Sequence, residues 1–184
     1  MDGDNLPVAE SLGSSESLTN WGELIAGVES FHRLVPIAHK MAIAKGWWQD
    51  GIENRPMSEI IANFHAEVSE AWEEYRAGRM ETWYAEGSAK PEGFWIKIAD
   101  LLIRIADAVG AHREGMFETV SKYVDDISIP CFIVRLHVFI AARKDSVALC
   151  ECFARLRKVD LYAVVRTKLA YNATRPYRHG GKKE

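Results

Sequence analysis

The stretch HAEVSEAWEEY (residues 65–75), followed by KIAD (residues 97–100), decides how this chain folds. Residues three and four apart share one face of an α-helix, so the first stretch places Glu67, Glu70 and Glu74 in one acidic line. Apolar residues alternate with these acids at helical spacing. The pattern predicts an amphipathic helix whose acids lie at the border of its buried face.

Asp100 ends the second stretch, and we expect it to face the acidic line from a neighbouring helix. Carboxylates that converge between packed helices are costly to bury as bare anions. A divalent cation offsets that cost, and carboxylate oxygens suit Mg²⁺, with Mn²⁺ as an alternative. We therefore predict a metal site at Glu67, Glu70 and Asp100, although Lys97 places a cation one turn away. The alternative is that the glutamates are only the solvated face of a helix, since ExxE spacing is common.

Length and composition describe an ordinary globular protein. The 184 residues suffice for one domain with a substantial core, and the hydrophobic fraction of 48% and charged fraction of 27% are typical. A net charge of −3 argues against a general nucleic-acid binder. No apolar run reaches the roughly 18–20 residues of a transmembrane helix, and three cysteines match neither a disulfide framework nor a zinc motif. We expect a cytoplasmic protein without a membrane or nucleic-acid partner.

Helical periodicity dominates the chain, and no segment shows the alternation of a strand. We predict an all-α single domain over residues 21–184, after a disordered leader over residues 1–20. The four core helices are predicted at about residues 21 or 27 to 45, 57–78, 92–111 and 160–172. Further helices are predicted at residues 117–127, 130–143 and 146–158. These would form a helical insertion at about 113–158, between the third and fourth core helices, and residues 173–184 would form a basic tail.

The last helix and the tail carry donors that suit an anionic phosphate chain. Lys168 and Asn172 are one turn apart, and Arg175 follows them, so charge and hydrogen-bond donors collect at one end of the helix. The alternative for residues 178–184 is a solvated basic end without a ligand. Trp48 follows the end of the first core helix and is a candidate for stacking on a nucleobase, although tryptophans serve mostly in cores and interfaces.

Four stretches of the chain resemble the all-α nucleoside triphosphate pyrophosphohydrolases, the MazG-like superfamily that includes dimeric dUTPase and dCTPase. They cover about a third of the chain and are spread over all four predicted core helices. The matching stretches are AHKMAIAKGWW (38–48), SEIIANFHAEVSEAWEEYRAGR (58–79), IADLLIRIADAVG (98–110) and KLAYNATRPYRHGGKK (168–183).

The resemblance implies a four-helix core that assembles as a homodimer or homotetramer and binds Mg²⁺ through an ExxE motif and a following ExxD motif. Glu67 and Glu70 match the ExxE motif, and Asp100 matches the last acid of the ExxD motif. Such enzymes cleave a nucleoside triphosphate between its α- and β-phosphates and release the monophosphate and pyrophosphate. Lys168 and Asn172 match residues that approach the phosphates in the family.

Lys97 stands where the family has the glutamate of the ExxD motif, and it leaves two functions open. In an enzyme, Lys97 would contact phosphate directly, and Glu70 or Glu74 would orient or deprotonate the attacking water. In a pseudoenzyme or nucleotide-binding interaction module of the same fold, the ammonium would repel the metal ion and weaken turnover. A helical scaffold whose acids lie only on the surface is the third interpretation.

Overall fold

The computed structural model describes residues 20–49, 55–111 and 127–178. Within these ranges the chain is mostly helical, which confirms the prediction of an all-α fold. The elements are α1 (Trp21–Ala26), α2 (Phe31–Ala44), α3 (Met57–Arg76), β1 (Trp83–Tyr84), β2 (Pro91–Glu92), α4 (Phe94–Gly110), α5 (Ile129–Ala141), α6 (Ser146–Leu156) and α7 (Leu161–Thr174). None of these helices is long and apolar enough to cross a membrane.

The first core helix was predicted to start at about residue 21 or 27, and the structure has two helices here, α1 and α2. The backbone N–H of Gly27 closes α1 on the carbonyl of Ile25. Ser30 then begins α2 by accepting a hydrogen bond from the backbone N–H of Arg33 at 3.4 Å. A serine at this position satisfies one of the free N–H groups of a helix start, which is why a new helix begins here.

Helix α4 is the centre of the fold, and α2, α3 and α7 all pack against it. Its sequence is apolar at most positions, so its apolar side chains bury against several neighbours at once. The residues of α4 that are wholly buried include Phe94, Ile96, Ile98, Leu101, Leu102 and Ile105. The charged residues of α4 therefore project from a helix that is otherwise enclosed in the core.

Helices α5 and α6 lie within the predicted insertion and extend the core. The rings of Phe132 on α5 and Phe153 on α6 stack with centroids 3.9 Å apart, and both contact aromatic residues at the start of α4. Asp145 caps α6, since its side chain accepts a hydrogen bond from the N–H of Ala148 at 2.9 Å. The predicted helix at 117–127 lies outside the described residues except for its last position, as do the leader before residue 20 and the tail after residue 178.

A two-stranded antiparallel ribbon of β1 and β2 precedes α4, and the sequence analysis did not predict it. Each strand has two residues, too few to show a period of two. Gly93 joins β2 to α4 with φ of 124°, a conformation that favours glycine. A Cβ at this position would lie 2.3 Å from the carbonyl oxygen of Glu81. The absence of a side chain at Gly93 thus lets the backbone just before β1 approach the start of α4 closely.

Candidate functional site

A cavity of about 530 Å³ lies between α2, α3, α4 and α7. Basic side chains outnumber acidic ones in its wall by six to four, so the cavity suits an anionic ligand. The basic residues are Lys45, Lys90, Lys97, Arg104, Lys168 and Arg175, and the acidic residues are Glu67, Glu70, Asp100 and Asp107.

Two ion pairs join α3 to α4 along the cavity. The Nζ of Lys97 donates a hydrogen bond to Oε2 of Glu70 at 2.7 Å, and the Nε of Arg104 donates to Oε1 of Glu67 at the same distance. The earlier acid on α3 pairs with the later cation on α4, so the two helices run antiparallel. The ExxE spacing therefore lets both acids contact α4, with Glu67 buried and Glu70 partly open to solvent.

A third ion pair joins α4 to α7. The Nζ of Lys168 lies 2.8 Å from Oδ2 of Asp100, and their side chains are 4% and 14% exposed. Lys168 is thus a buried cation whose charge is compensated by Asp100. The side chains predicted to bind metal and phosphate lie in one cavity, and each predicted metal ligand contacts a cation.

The pKa of Glu67 is raised from 4.5 to about 7, first by burial and then by the negative charge of Asp100, against the opposing effect of Arg104. A carboxyl group shifted in this way lacks full compensation for its negative charge. Additional positive charge beside Glu67 would therefore stabilise its ionised form.

The donor set of the cavity fits Mg²⁺ chemically, because Glu67, Glu70 and Asp100 supply the oxygen ligands that this ion prefers. The raised pKa of Glu67 also favours a bound cation, because the negative charge of Glu67 lacks full compensation. In the described ranges, however, no three acidic, histidine or cysteine side chains are grouped closely enough to hold a metal ion. Binding would require these carboxylates to exchange their present cations for the metal.

Lys97 has a second acidic partner, Glu92, which was not among the predicted site residues. Its Nζ lies 3.0 Å from Oε2 of Glu92 on β2, and Glu92 also pairs with Lys90. Burial alone would lower the pKa of Lys97, but hydrogen bonds to Glu70 and Glu92 raise it above its ordinary value. Burial would raise the pKa of Glu92, and the two lysines lower it instead. Lys97 and Glu92 are consequently both charged at neutral pH.

Asn172 and Arg175 line the cavity beside Lys168, as their predicted role requires. The Oδ1 atom of Asn172 is buried and accepts no hydrogen bond from the described residues. The Nζ of Lys45 donates to the backbone carbonyl of Ala173 at 2.8 Å and also contacts that of Arg175, which holds the end of α7 against α2. An unpartnered acceptor beside several cations suits a ligand that carries hydroxyl groups as well as phosphates.

Two predicted site residues lie outside the wall of this cavity. The Nε1 of Trp48 donates to Oδ1 of Asp107 at 2.8 Å, and Trp48 lines a smaller adjoining cavity, whereas Trp47 lines the main one. Glu74 accepts a hydrogen bond from Nε1 of Trp83 at 2.8 Å. The structure therefore places Trp48 and Glu74 apart from the other predicted site residues.

Several residues of the cavity were absent from the predicted site. A signal existed for Arg104 and Asp107, since they follow Lys97 and Asp100 at the three- and four-residue spacing of one helical face. Lys90 has no such helical spacing to the other site residues, because Lys90 precedes β2, a strand that was not predicted. An amide and an aromatic residue, Asn63 and Tyr171, also belong to this group.

Comparison with known proteins gave no match: neither a protein-family model nor a curated protein nor a solved structure matches this chain.

Proposed function

We propose that the cavity binds a nucleoside triphosphate and hydrolyses it between the α- and β-phosphates, giving the monophosphate and pyrophosphate. The observation that carries the proposal is the convergence of Glu67, Glu70, Asp100 and Lys168 in one cavity in which basic side chains are in excess. These four residues match the motifs of the MazG-like enzymes, and the cavity brings them together from three different helices.

The cations on α7 are suited to hold the phosphate chain. Lys168 supplies a compact charge with three donors, and Arg175 supplies a planar fork that matches phosphate oxygens in pairs. The amide of Asn172 adds a neutral donor and an acceptor beside them. Because Lys168 is nearly buried, its attraction to phosphate is screened less by water than that of a surface lysine.

Glu67, Glu70 and Asp100 would hold Mg²⁺, which when bound neutralises phosphate charge. Water attacks the α-phosphorus, the bond from that phosphorus to the bridging oxygen breaks, and the leaving group departs as pyrophosphate. Glu70 would accept the proton of the attacking water or orient it. Its side chain is 53% exposed, so water reaches it, whereas Glu74 lies outside the cavity wall.

A second candidate function is nucleotide binding without efficient turnover, as a pseudoenzyme or interaction module. The contact of 2.7 Å between Lys97 and Glu70 favours it, because an ammonium already neutralises one of the carboxylates that the metal needs. The same cation would still attract the phosphates of a bound nucleotide.

The test is pyrophosphate release from a panel of canonical and modified (d)NTPs with Mg²⁺ or Mn²⁺. We expect release by the wild type and a loss of at least about 100-fold in Glu67→Ala, since even outer-shell partners of a metal ligand are worth about 10–100-fold. Glu73→Ala is the matched control, because Glu73 lies on the same helix, is exposed and pairs with Arg76. It should keep wild-type activity.

Lys97→Glu separates the two candidates. If only this variant releases pyrophosphate, and nucleotide raises the melting temperature of the wild type, the result supports the binding module and contradicts the enzyme. A wild type that neither releases pyrophosphate nor is stabilised by any nucleotide of the panel contradicts both.

A further inference from the structure

Four charged side chains form a continuous chain at one end of the cavity. Lys90, just before β2, pairs with Glu92. Glu92 lies 3.0 Å from the Nζ of Lys97, and Lys97 lies 2.7 Å from Glu70. The chain thus links the ribbon to α4 and α3, and both lysines also line the cavity.

This end is remote from the part of the cavity near Asp107. Lys97 and Asp107 are ten residues apart on α4, which corresponds to about 15 Å at the helical rise of 1.5 Å per residue. The Asp107 end adjoins the smaller cavity that contains Trp48, and Asn63 lines both cavities. Asp100 and Lys168 lie between the two ends. One end of the cavity therefore has Asp107 and the amide of Asn63, with Trp48 in the adjoining smaller cavity, and the other end has two lysines.

Lys90 and Lys97 keep the capacity to bind a further anion. An ammonium group has three donors, and Lys97 donates one of them to Glu70 while it lies within ion-pair distance of Glu92, so at least one donor is left for a ligand. Lys90 is 38% exposed, so its flexible side chain can turn from Glu92 to a ligand without disturbing the core. The two ammonium groups share Glu92, and Lys97 also pairs with Glu70, so the attraction of this end for a polyanion comes from the donors that these two carboxylates leave unengaged.

We propose that Lys90 and Lys97 form a subsite for the terminal phosphates of the nucleotide, the part that leaves as pyrophosphate. This inference rests on the proposed nucleotide binding. Glu92 holds the two lysines together at this end of the cavity before the ligand enters. Lys90 is a binding residue in this arrangement, and the nucleoside lies toward the Asp107 end.

Isothermal titration with inorganic pyrophosphate and with the nucleoside monophosphates tests the subsite. In Lys90→Ala we expect pyrophosphate affinity to fall about tenfold, the value of one hydrogen bond to a charged group. Monophosphate affinity should stay within about twofold, because the monophosphate lacks the terminal phosphates. Lys90→Arg should retain most of the pyrophosphate affinity, since it keeps the charge.

Lys40→Ala is the control, because Lys40 is an exposed lysine of α2 outside the cavity wall. It removes the same charge and should leave both affinities unchanged. A Lys90→Ala protein that binds pyrophosphate as tightly as the wild type would overturn the subsite, and so would an equal loss of monophosphate affinity. A wild type that does not bind pyrophosphate would also overturn it.

The outcomes separate this inference from the proposed function. If the wild type hydrolyses nucleotides and Lys90→Ala does so with unchanged kcat and KM, the subsite is wrong and the function stands. If no nucleotide is bound or cleaved but pyrophosphate binding depends on Lys90, the function is wrong and the anion subsite stands.

Discussion

The side of α4 that faces the cavity and the side that meets α5 and α6 are stabilised in different ways. On the cavity side, Lys97, Asp100 and Arg104 each contact an opposite charge from a neighbouring element. On the other side, Phe94 contacts the ring of Phe132, with no charge in the contact. The same helix therefore carries a polar wall and an apolar core contact.

The difference shows which side the fold itself requires. Burying an aromatic side chain contributes about 1.5–3 kcal/mol or more to folding by removing apolar surface from water. Burying an ion pair gains much less, because desolvation of both charges offsets their attraction. The three ion pairs on the cavity side are thus a costly way to join helices, and we interpret them as a requirement of ligand binding.

The largest effect should come from the apolar side, in Phe153→Ala. Phe153 is wholly buried and stacks on Phe132, so its loss should leave a cavity and lower the free energy of unfolding by about 3–5 kcal/mol. Urea denaturation followed by circular dichroism measures it. Val134→Ala is the control, since Val134 is 62% exposed on α5 and should change stability by less than about 0.5 kcal/mol. A loss below 1 kcal/mol in Phe153→Ala would contradict the role given to this cluster.

The next effect should come from Asp100→Asn, which leaves Lys168 buried beside a neutral amide. We expect a loss of about 3 kcal/mol, the lower end for breaking a buried pair, because Asp100 retains some contact with water. Adding Lys168→Met removes the stranded charge, so the double variant should recover most of the stability while remaining inactive. A double variant less stable than Asp100→Asn would show that the pair stabilises the fold itself.

The smallest effect should come from a histidine pair between α3 and α5. The Nδ1 atoms of His65 and His137 lie 2.8 Å apart, and burial together with His65 lowers the pKa of His137 below 6.5. As the pH falls below 6.5, the imidazole of His137 binds a proton more readily in the unfolded chain than in the folded chain, so the free energy of unfolding falls with the pH. We expect the melting temperature to drop less between pH 7.5 and 5.5 in His137→Gln than in the wild type. His32→Gln, at an exposed position, is the control and should match the wild type; an equal drop in all three proteins would contradict the coupling.

The sequence predicted the parts of the molecule that depend on helical spacing. The bounds of α3, α4 and α7 follow from the period of their apolar residues and from nearby glycines and capping residues. The same spacing placed Glu67 and Glu70 toward a neighbouring helix, and Asp100 toward them. Seven of the predicted site residues, Lys97 among them, line one cavity. Two of the helices that hold them, α3 and α4, were predicted as neighbours through their acids.

Other features depend on contacts between segments, which spacing within one segment does not determine. Arg104 pairs with Glu67 on another helix, although Asp100 and Asp107 lie at helical spacing from it on its own helix. Trp47 and Trp48 are adjacent beyond the end of α2, where the backbone is no longer periodic, and they line different cavities. The ribbon and Lys90 were missed for the same reason, since two-residue strands carry no pattern.

The close contact at Gly93 has a consequence for how affinity can change. The backbone just before β1 meets the start of α4 at a position with no room for a side chain, and the N–H of Phe94 also donates to the carbonyl of Arg79 at 2.9 Å. The main chain therefore sets where Lys90 and Glu92 stand relative to Lys97. Substitutions at these three positions can therefore change the charge at this end of the cavity during evolution without changing the backbone that holds them.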